Sequence, residues 1–381
     1  MMEWVLLPDD YDRFQKLKQE TPAEARRLLR GGFFREFFLK YPEANHLHKR
    51  MLLVSCQVSQ NSAPEAAAEL YKGQCNDPYW HGVFGGLYLP HLRESAYFHL
   101  LEAERKSACA PGWTRLDYDL DGSEELLYRG QEFNLLLKPS HGGSLVEFDD
   151  RLLSRNLSDV LSRREESYHR QKGPGPGEGK SIHELAKRLP DGAASLLHYD
   201  WHPRYSLLDH FLHPGVSEDD FRRVDYREQG DFVNQEYLAE VEEEEAVLCR
   251  QGHVWIEKER SPVKVVKRIR PQRSQVSISY EVENQAEREI EFHFGVEWNF
   301  YLLAGEWEFR KETLALLGGR WIMKFSPGLN FWSFPLETLS QSEEGYDIIR
   351  QGTCFLPYWK FSLASGQRYS LAITLREGNE R

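Results

Sequence analysis

EIEFHFGVEWNF, which runs from Glu289 to Phe300, alternates apolar and polar residues over its whole length. Successive side chains of a β-strand point to opposite faces of a sheet, so a period of two indicates a strand rather than a helix. The apolar face carries Ile290, Phe292, Phe294, Val296, Trp298 and Phe300. We therefore predict a long strand that buries this face in a core and gives its polar face to solvent or to structural hydrogen bonds.

Shorter runs of the same kind extend from Gly112 to Thr374, separated by Pro, Gly, Asn and Asp turns. No helical pattern of ten residues alternates with these runs, which argues against a parallel α/β sheet. Residues 107–381 are therefore predicted to form a large antiparallel β-sandwich. A Gly- and Pro-rich interruption between Arg163 and Asp191 is predicted to be a mobile excursion.

The chain before this region has helical periodicity. Apolar residues recur three and four positions apart from Leu28 through Phe38 to Val54. Thr21-Pro22 is typical of an N-cap followed by a first-turn proline, and further helices are predicted over 63–71 and 89–104. The predicted fold class is thus α+β, with a helical bundle over residues 1–106 followed by the β-sandwich.

The composition restricts the compartment and the partners. The 381 residues include 48 Lys and Arg against 60 Asp and Glu, for a net charge of −12, which repels nucleic acids and anionic membranes. The five cysteines have no CxxC spacing, so a reducing compartment is favoured. The first residues lack signal-peptide character, and no apolar run reaches the ~18 residues of a membrane span. We predict a cytoplasmic protein.

No motif for binding a cofactor or a metal is complete in this sequence. GPGPGEGKS, from Gly173 to Ser181, has Pro174 where a phosphate-binding GxxxxGK[ST] loop needs glycine. No GxSxG nucleophile elbow is present. Three histidine pairs have spacings that could supply two metal ligands, but each lacks a convincing third ligand. These pairs are His46 and His48, His198 and His202, and His210 and His213. We predict no cofactor and no metal, with ordinary hydrogen-bonded histidines.

His293 and Glu297 lie four residues apart on the polar face of the long strand. Two such side chains point the same way, so they could form the acid/base couple of a mutarotase-like aldose epimerase. The alternative is an exposed polar face or a structural hydrogen bond, which is ordinary for an antiparallel sheet. We favour the alternative.

NDPYWHGVFGG, from Asn76 to Gly86, has the most functional content of the sequence. Asn-Asp-Pro and the paired glycines interrupt the helical pattern, so a loop held between helices is predicted. An aspartate accepts two sugar hydroxyls, an indole stacks on a pyranose, and glycines let backbone approach a ligand. Simple docking of the aromatics between helices is the alternative. The candidate sugar-binding residues are Asp77 and Trp80, with Asn76, Tyr79 and His81.

Several long stretches, in the same order, closely resemble glycoside hydrolase family 57, in particular its 4-α-glucanotransferases and related α-amylases. They are RGGFFREFFLKYPEANHLHKRM, NDPYWHGVFGG with GLYLPHLR, HPRYSLLDHFL, FGVEWNFYLLAG and WSFPLETLSQSEEGYDIIRQG, and they cover nearly the whole chain. The resemblance implies a sandwich of the galactose mutarotase-like type. It also implies that the loop lines the active cleft, where Asp77 and Trp80 match residues that contact bound glucan.

The same resemblance implies a divided function. Family members use a glutamate nucleophile and an aspartate acid/base about 5 Å apart, both on an N-terminal barrel. That barrel is expected to precede Met1, so no catalytic residue is expected in this chain. The implied function is to contribute substrate contacts to an enzyme acting on α-1,4-glucans, with a maltooligosaccharide and a separate barrel polypeptide as partners. A free-standing carbohydrate-binding protein is the alternative.

Overall fold

The computed structural model describes residues 2–61, 63–82, 84–107, 109–170, 196–257, 259–341 and 345–378. The chain forms two compact units. The first comprises Met1–Ser107, Leu161–Asp200 and Glu337–Gln351, and the second comprises Ala108–Val160, Trp201–Leu336 and Gly352–Arg381. The first unit therefore contains two later segments besides the predicted helical region 1–106. The GPGPGEGKS stretch lies outside the described residues.

The first unit is helical. Its helices are α1 (Pro8–Glu20), α2 (Ala23–Arg26), α3 (Glu36–Lys40), α4 (Pro42–Asn61), α5 (Pro64–Gly73) and α6 (Pro90–Arg105). Helices α1, α4, α5 and α6 each begin at a proline, whose fixed φ and missing N–H suit the first turn. The apolar faces of α4, α5 and α6 meet in one core that includes Leu47, Val54, Leu70 and Leu100. The helices predicted over 63–71 and 89–104 are confirmed as α5 and α6.

Two details of the predicted helical region are wrong. Thr21 does not begin a helix but ends α1, where its Oγ1 donates a hydrogen bond to the Leu17 carbonyl at 2.7 Å. The helical spacing from Leu28 onward is also interrupted, and Leu28 and Phe33 are exposed outside any helix. Gly31 and Gly32 lie in this interval, and glycine is a poor helix former.

The second unit is built from antiparallel strands. These are β1 (Gly112–Leu116), β2 (Glu125–Arg129), β3 (Phe133–Lys138), β4 (Ser144–Asp150), β5 (Arg155–Asn156), β6 (Leu208–Phe211), β7 (Leu238–Glu242), β8 (Glu245–Ile256), β9 (Glu259–Pro271), β10 (Gln275–Asn284), β11 (Ile290–Phe300), β12 (Trp307–Arg310), β13 (Thr313–Leu316), β14 (Trp321–Phe325), β15 (Leu329–Gln341), β16 (Tyr346–Leu363) and β17 (Arg368–Glu377). One short helix, α7 (Glu218–Arg223), follows β6. The predicted sequence of helices followed by antiparallel sheets is confirmed.

The strands form three sheets. Their orders are β1-β2-β3-β4-β5, then β12-β13-β14-β17-β10-β9-β8-β7, and finally β15-β16-β11-β6. Buried side chains from all three sheets join in one apolar cluster, with Leu135, Ile269 and Trp298 among its members. The end of β15 and the start of β16 belong to the first unit. All residues of the large apolar cluster, however, lie in segments of the second unit.

Strand β11 is the long strand predicted from the alternating sequence, and its apolar face is buried as predicted. Its polar face is also buried over most of its length, since every residue from Phe292 to Phe300 is buried. A second apolar cluster lies on that face and includes Cys354, which pairs in register with Asn299. The exposed-face alternative is therefore wrong beyond Glu291, because a second layer of side chains covers the sheet.

All five cysteines are free thiols, as the absence of a disulfide pattern predicted. Among the described residues, no helix is both long enough and apolar enough to cross a membrane.

Candidate functional site

The loop predicted from NDPYWHGVFGG connects α5 to α6 and contains two short 3-10 turns, Asp77–Tyr79 and Gly86–Tyr88. Tyr79 fixes its start, since the buried hydroxyl donates to the Gly73 carbonyl at 2.6 Å. The Leu87 amide donates to the Trp80 carbonyl at 2.7 Å and closes the loop on itself. The loop is thus held to the end of α5 and across its own base.

Two glycines give Trp80 its position. A methyl group at Gly82 would overlap the six-membered ring of Trp80, and one at Gly86 would overlap the Trp80 carbonyl oxygen. Gly86 also has φ +54, a conformation that glycine adopts at little cost. We expected the glycines to admit a ligand to the backbone. In the structure Gly82 makes room for the Trp80 indole and Gly86 makes room for the Trp80 carbonyl group.

His81 is fully buried and has a partner at each ring nitrogen. Its Nδ1 lies 2.9 Å from the Gly85 carbonyl and its Nε2 lies 3.3 Å from the Tyr168 hydroxyl. Burial lowers the pKa of His81 to about 4, so the ring is neutral, donates from Nδ1 and accepts at Nε2. The sequence suggested that His81 contacts substrate. The structure corrects this, because the ring has no exposed surface and braces the loop.

Glu166 lies in the same buried layer and was not singled out by its sequence. Its carboxylate accepts from Lys40 Nζ at 2.8 Å and from the hydroxyls of Tyr41 and Tyr88 at 2.7 Å each. Burial alone would raise the pKa of Glu166, but the Lys40 ammonium and the other partners outweigh it and lower the pKa. Tyr88 lies in the second 3-10 turn of the loop, so this network anchors the loop to the buried Glu166 carboxylate. The interruption from Arg163 to Asp191 was predicted to be mobile, and its described part, Arg163–Arg170, contributes Glu166 to this buried network.

A groove of about 340 Å³ lies beside the loop. The loop contributes Asn76, Tyr79 and Trp80 to its lining. The remaining lining consists of Phe34, His48, Met51 and Gln74. None of these side chains carries a formal charge at neutral pH, and three of them, Phe34, Tyr79 and Trp80, have a phenyl, phenol or indole ring. The groove therefore suits a neutral ligand with both apolar and hydroxyl surface.

The structure brings three of the five predicted loop residues to this groove. Asp77 does not line the groove and is exposed, so its carboxylate is open to solvent beside the loop. His81 is enclosed, as described above. No sequence pattern singled out Phe34 or Gln74 as groove residues, because a groove wall needs no periodicity of its own.

Glu297 and His293 do not form a couple. Glu297 is fully buried and receives hydrogen bonds from Arg204 Nη1 at 2.7 Å and from His202 and His210 at 2.9 and 2.8 Å. Burial would raise the pKa of Glu297, but Arg204 and the histidines lower it well below its ordinary value. The nearest charged partner of His293 is Glu291, at 3.4 Å. Glu297 is therefore an ionised structural carboxylate with no exposed surface for a sugar.

Two groups of metal-type ligands occur among the described residues. His202 and His210 both donate to the same Glu297 oxygen, which uses the lone pairs that a cation would need. The other group is Asp117, Asp119 and Glu125. Here Lys138 Nζ, at 2.9 Å from Glu125 and 2.5 Å from Asp119, supplies the neutralising cation. Both groups are internal ion-pair networks in this structure.

Comparison with known proteins gives a consistent match along the chain. The model of the alpha-amylase/4-alpha-glucanotransferase middle domain matches residues 32–107. The model of the C-terminal domain of the same proteins matches residues 117–318 and 314–373. The 4-alpha-glucanotransferase of Thermococcus litoralis is 38% identical over 373 residues, which cover 93% of this chain and 56% of that protein.

Other relatives agree. The alpha-amylase of Pyrococcus furiosus is 35% identical over 370 residues, covering 93% of this chain and 54% of that protein. The crystal structure of the Thermococcus litoralis 4-alpha-glucanotransferase matches with a TM-score of 0.87 and 37% identity, over 99% of this chain and 59% of that one. The chain thus spans little more than half the length of these relatives.

Proposed function

This chain belongs to the alpha-amylase/4-alpha-glucanotransferase family, of which it has the middle and C-terminal domains, and we propose that it forms the substrate-holding wall of a glucan-processing cleft. One observation carries the proposal. Asn76, Tyr79 and Trp80, three of the five loop residues that the sequence analysis named as candidate sugar contacts, line a single groove.

The chemistry of the groove supports an α-glucan as the ligand. A pyranose presents apolar C–H faces between rings of hydroxyls, so its binding site needs aromatic surface next to uncharged polar groups. Trp80 and Phe34 supply the aromatic surface, and Asn76 supplies an amide. The relatives named above are a glucanotransferase and an amylase, which agrees with that ligand class.

We place the catalytic pair outside this chain. A retaining glycosidase needs two carboxylates about 5 Å apart on either side of the scissile bond. The family resemblance assigns them to a barrel, and we propose that a barrel polypeptide completes the cleft. Several apolar side chains in the described part of the first unit are exposed and are candidates for cover by such a partner. They include Leu28, Phe33, Leu39 and Phe84.

Ligand binding by the isolated chain tests the substrate contacts. Saturation-transfer NMR with maltotriose, which detects millimolar affinity, should show contact with the wild-type chain. Trp80→Ala should weaken binding at least tenfold, because stacking is lost. Trp201→Ala, which removes an exposed tryptophan of the second unit, is the matched control and should bind like the wild type. Equal binding by the Trp80→Ala variant and the wild type would refute the proposed contact.

Activity assays test whether the catalytic pair lies outside this chain. The isolated chain should not disproportionate maltotriose, while fusion to the part of the Thermococcus litoralis relative that it does not match should give activity sensitive to Trp80→Ala. Disproportionation by the chain alone would contradict the placement of the catalytic pair elsewhere. Micromolar affinity of the chain alone for maltoheptaose would favour a free-standing carbohydrate-binding protein instead.

A further inference from the structure

His48 is a groove residue without a hydrogen-bond partner among the described residues. It lies on α4, and its ring stacks on Phe38 with centroids 4.6 Å apart and meets Tyr79 edge-on at 6.3 Å. Its Nδ1 is buried and accepts or donates no hydrogen bond to any described residue. His81, in contrast, gives both of its ring nitrogens to partners in the protein.

The protonation state of His48 suits a neutral ligand. Burial, followed by the nearby Lys49 ammonium, lowers the pKa of His48. The ring is therefore neutral at pH 7 and offers one donor and one acceptor. A sugar hydroxyl both donates and accepts, so it can pair with Nε2 in either tautomer, whereas Nδ1 is buried. An anionic ligand would gain no charge–charge attraction from this neutral ring.

Two amides stand beside this imidazole. Gln74 has only a weak contact, from Nε2 to the Met51 sulfur at 3.5 Å. The side chain of Asn76 has no hydrogen bond to a described residue and is exposed. Three uncharged polar side chains thus line an aromatic groove with unused hydrogen-bonding capacity. Its volume of about 340 Å³ falls within the usual range of small-molecule sites.

We propose that His48 and Gln74 form the hydrogen-bonding side of a glucosyl subsite whose stacking wall is Trp80 and Phe34. The inference rests on the proposed function and adds to it the residues that recognise the hydroxyls. Stacking alone is tolerant of sugar identity, because every pyranose has an apolar face. Directed hydrogen bonds from His48 and Gln74 would select the hydroxyl pattern of glucose, so both are specificity residues of the subsite.

The test compares substitutions of two histidines of α4, His48 in the groove lining and His46 outside it. His48→Phe keeps the aromatic ring and its stacking on Phe38 but removes both nitrogens. It should raise the dissociation constant for maltotriose about tenfold, the effect of one hydrogen bond between neutral groups. His46→Phe, the same change on α4 outside the groove lining, should leave binding unchanged. His48→Gln, which returns an uncharged amide, should recover binding to within about threefold of the wild type.

Three outcomes would overturn the inference, and they differ in what they imply for the proposed function. Binding that Trp80→Ala weakens and His48→Phe leaves unchanged overturns this inference while the proposed function stands. Absence of maltotriose contact with the wild-type chain overturns both. A loss in His48→Gln without a loss in His48→Phe, with both variants folded by circular dichroism, would assign His48 a role in shape only and also overturn the inference.

Discussion

Glu166 shows how a single buried residue can hold a functional loop. The side chains of Glu166 and Lys40 are almost fully buried, and the carboxylate also accepts from Tyr88 in the loop. Removing one member of a buried ion pair leaves the other charge without compensation.

Glu166→Gln should therefore destabilise the protein by about 3–5 kcal/mol, as measured by urea denaturation. Asp10→Asn is the control, since Asp10 pairs with Arg13 where both side chains are more than half exposed. Exposed pairs contribute little, so this variant should unfold like the wild type. Similar losses in the two variants would contradict the role given to Glu166.

Two histidines show that residue type alone does not give a residue's role. His81 was predicted to contact substrate, but it is enclosed and bonded at both nitrogens. His48 was expected to be an ordinary hydrogen-bonded histidine, but it lines the groove without a partner among the described residues. Sequence gives the chemistry that an imidazole can perform. The neighbours, which are distant in sequence, decide whether any nitrogen remains available.

At the scale of elements, the loop depends on a glycine where two backbone segments of the loop meet. At Gly86 the positive φ of +54 combines with contact between an added Cβ and the Trp80 carbonyl oxygen. Gly305 has φ +89 but nothing within 4 Å of an added Cβ. Comparing alanine substitutions at Gly86 and Gly305 therefore separates the energetic cost of backbone strain from that of steric overlap.

Gly86→Ala should cost more than Gly305→Ala, because only Gly86 adds overlap to strain. Backbone strain alone costs about 1 kcal/mol, and we expect about 1–3 kcal/mol in total at Gly86. Urea denaturation gives the free energies of unfolding, and ¹⁹F NMR of protein labelled with 5-fluorotryptophan, with the Trp80 signal assigned by its loss in Trp80→Phe, reports the Trp80 environment among the ten tryptophans. Equal losses with an unchanged tryptophan spectrum would argue against the packing role of Gly86.

The pairing of β6 with β11 carries a pH dependence. His210 of β6 bonds Glu228 at 2.7 Å and Glu297 of β11 at 2.8 Å. Burial alone would lower the pKa of His210, but these carboxylates raise it to about 9. A raised pKa in the folded state stabilises the protein below the unfolded value near 6.5, and that stability is lost as the pH rises through 9.

Wild-type protein should therefore lose about 3 kcal/mol of unfolding free energy between pH 6.5 and about 9 from this group. Glu228→Gln removes one carboxylate, so its alkaline loss should be smaller and should end at a lower pH. Urea denaturation across this pH range measures both proteins. Identical alkaline slopes would show that His210 is not the responsible group.

At the scale of the whole molecule, the two compact units are assembled from non-consecutive segments. The sequence indicated a change from helical to strand periodicity near residue 107, and the first unit also ends a segment at Ser107. No local pattern indicates that Leu161–Asp200 and Glu337–Gln351 join the first unit. Segment association depends on packing between residues far apart in sequence, which periodicity does not report.

The sequence by itself determined the types of the main elements, the family, and the loop that contributes to the groove. These follow from short-range rules: the period of apolar residues, prolines and glycines at helix ends, and motifs a few residues long. Only the tertiary structure decided that both faces of β11 are covered and that His81 is enclosed while His48 is not. It alone joins Tyr88 to Glu166, 78 residues away, because burial and hydrogen-bond partners are set by long-range packing.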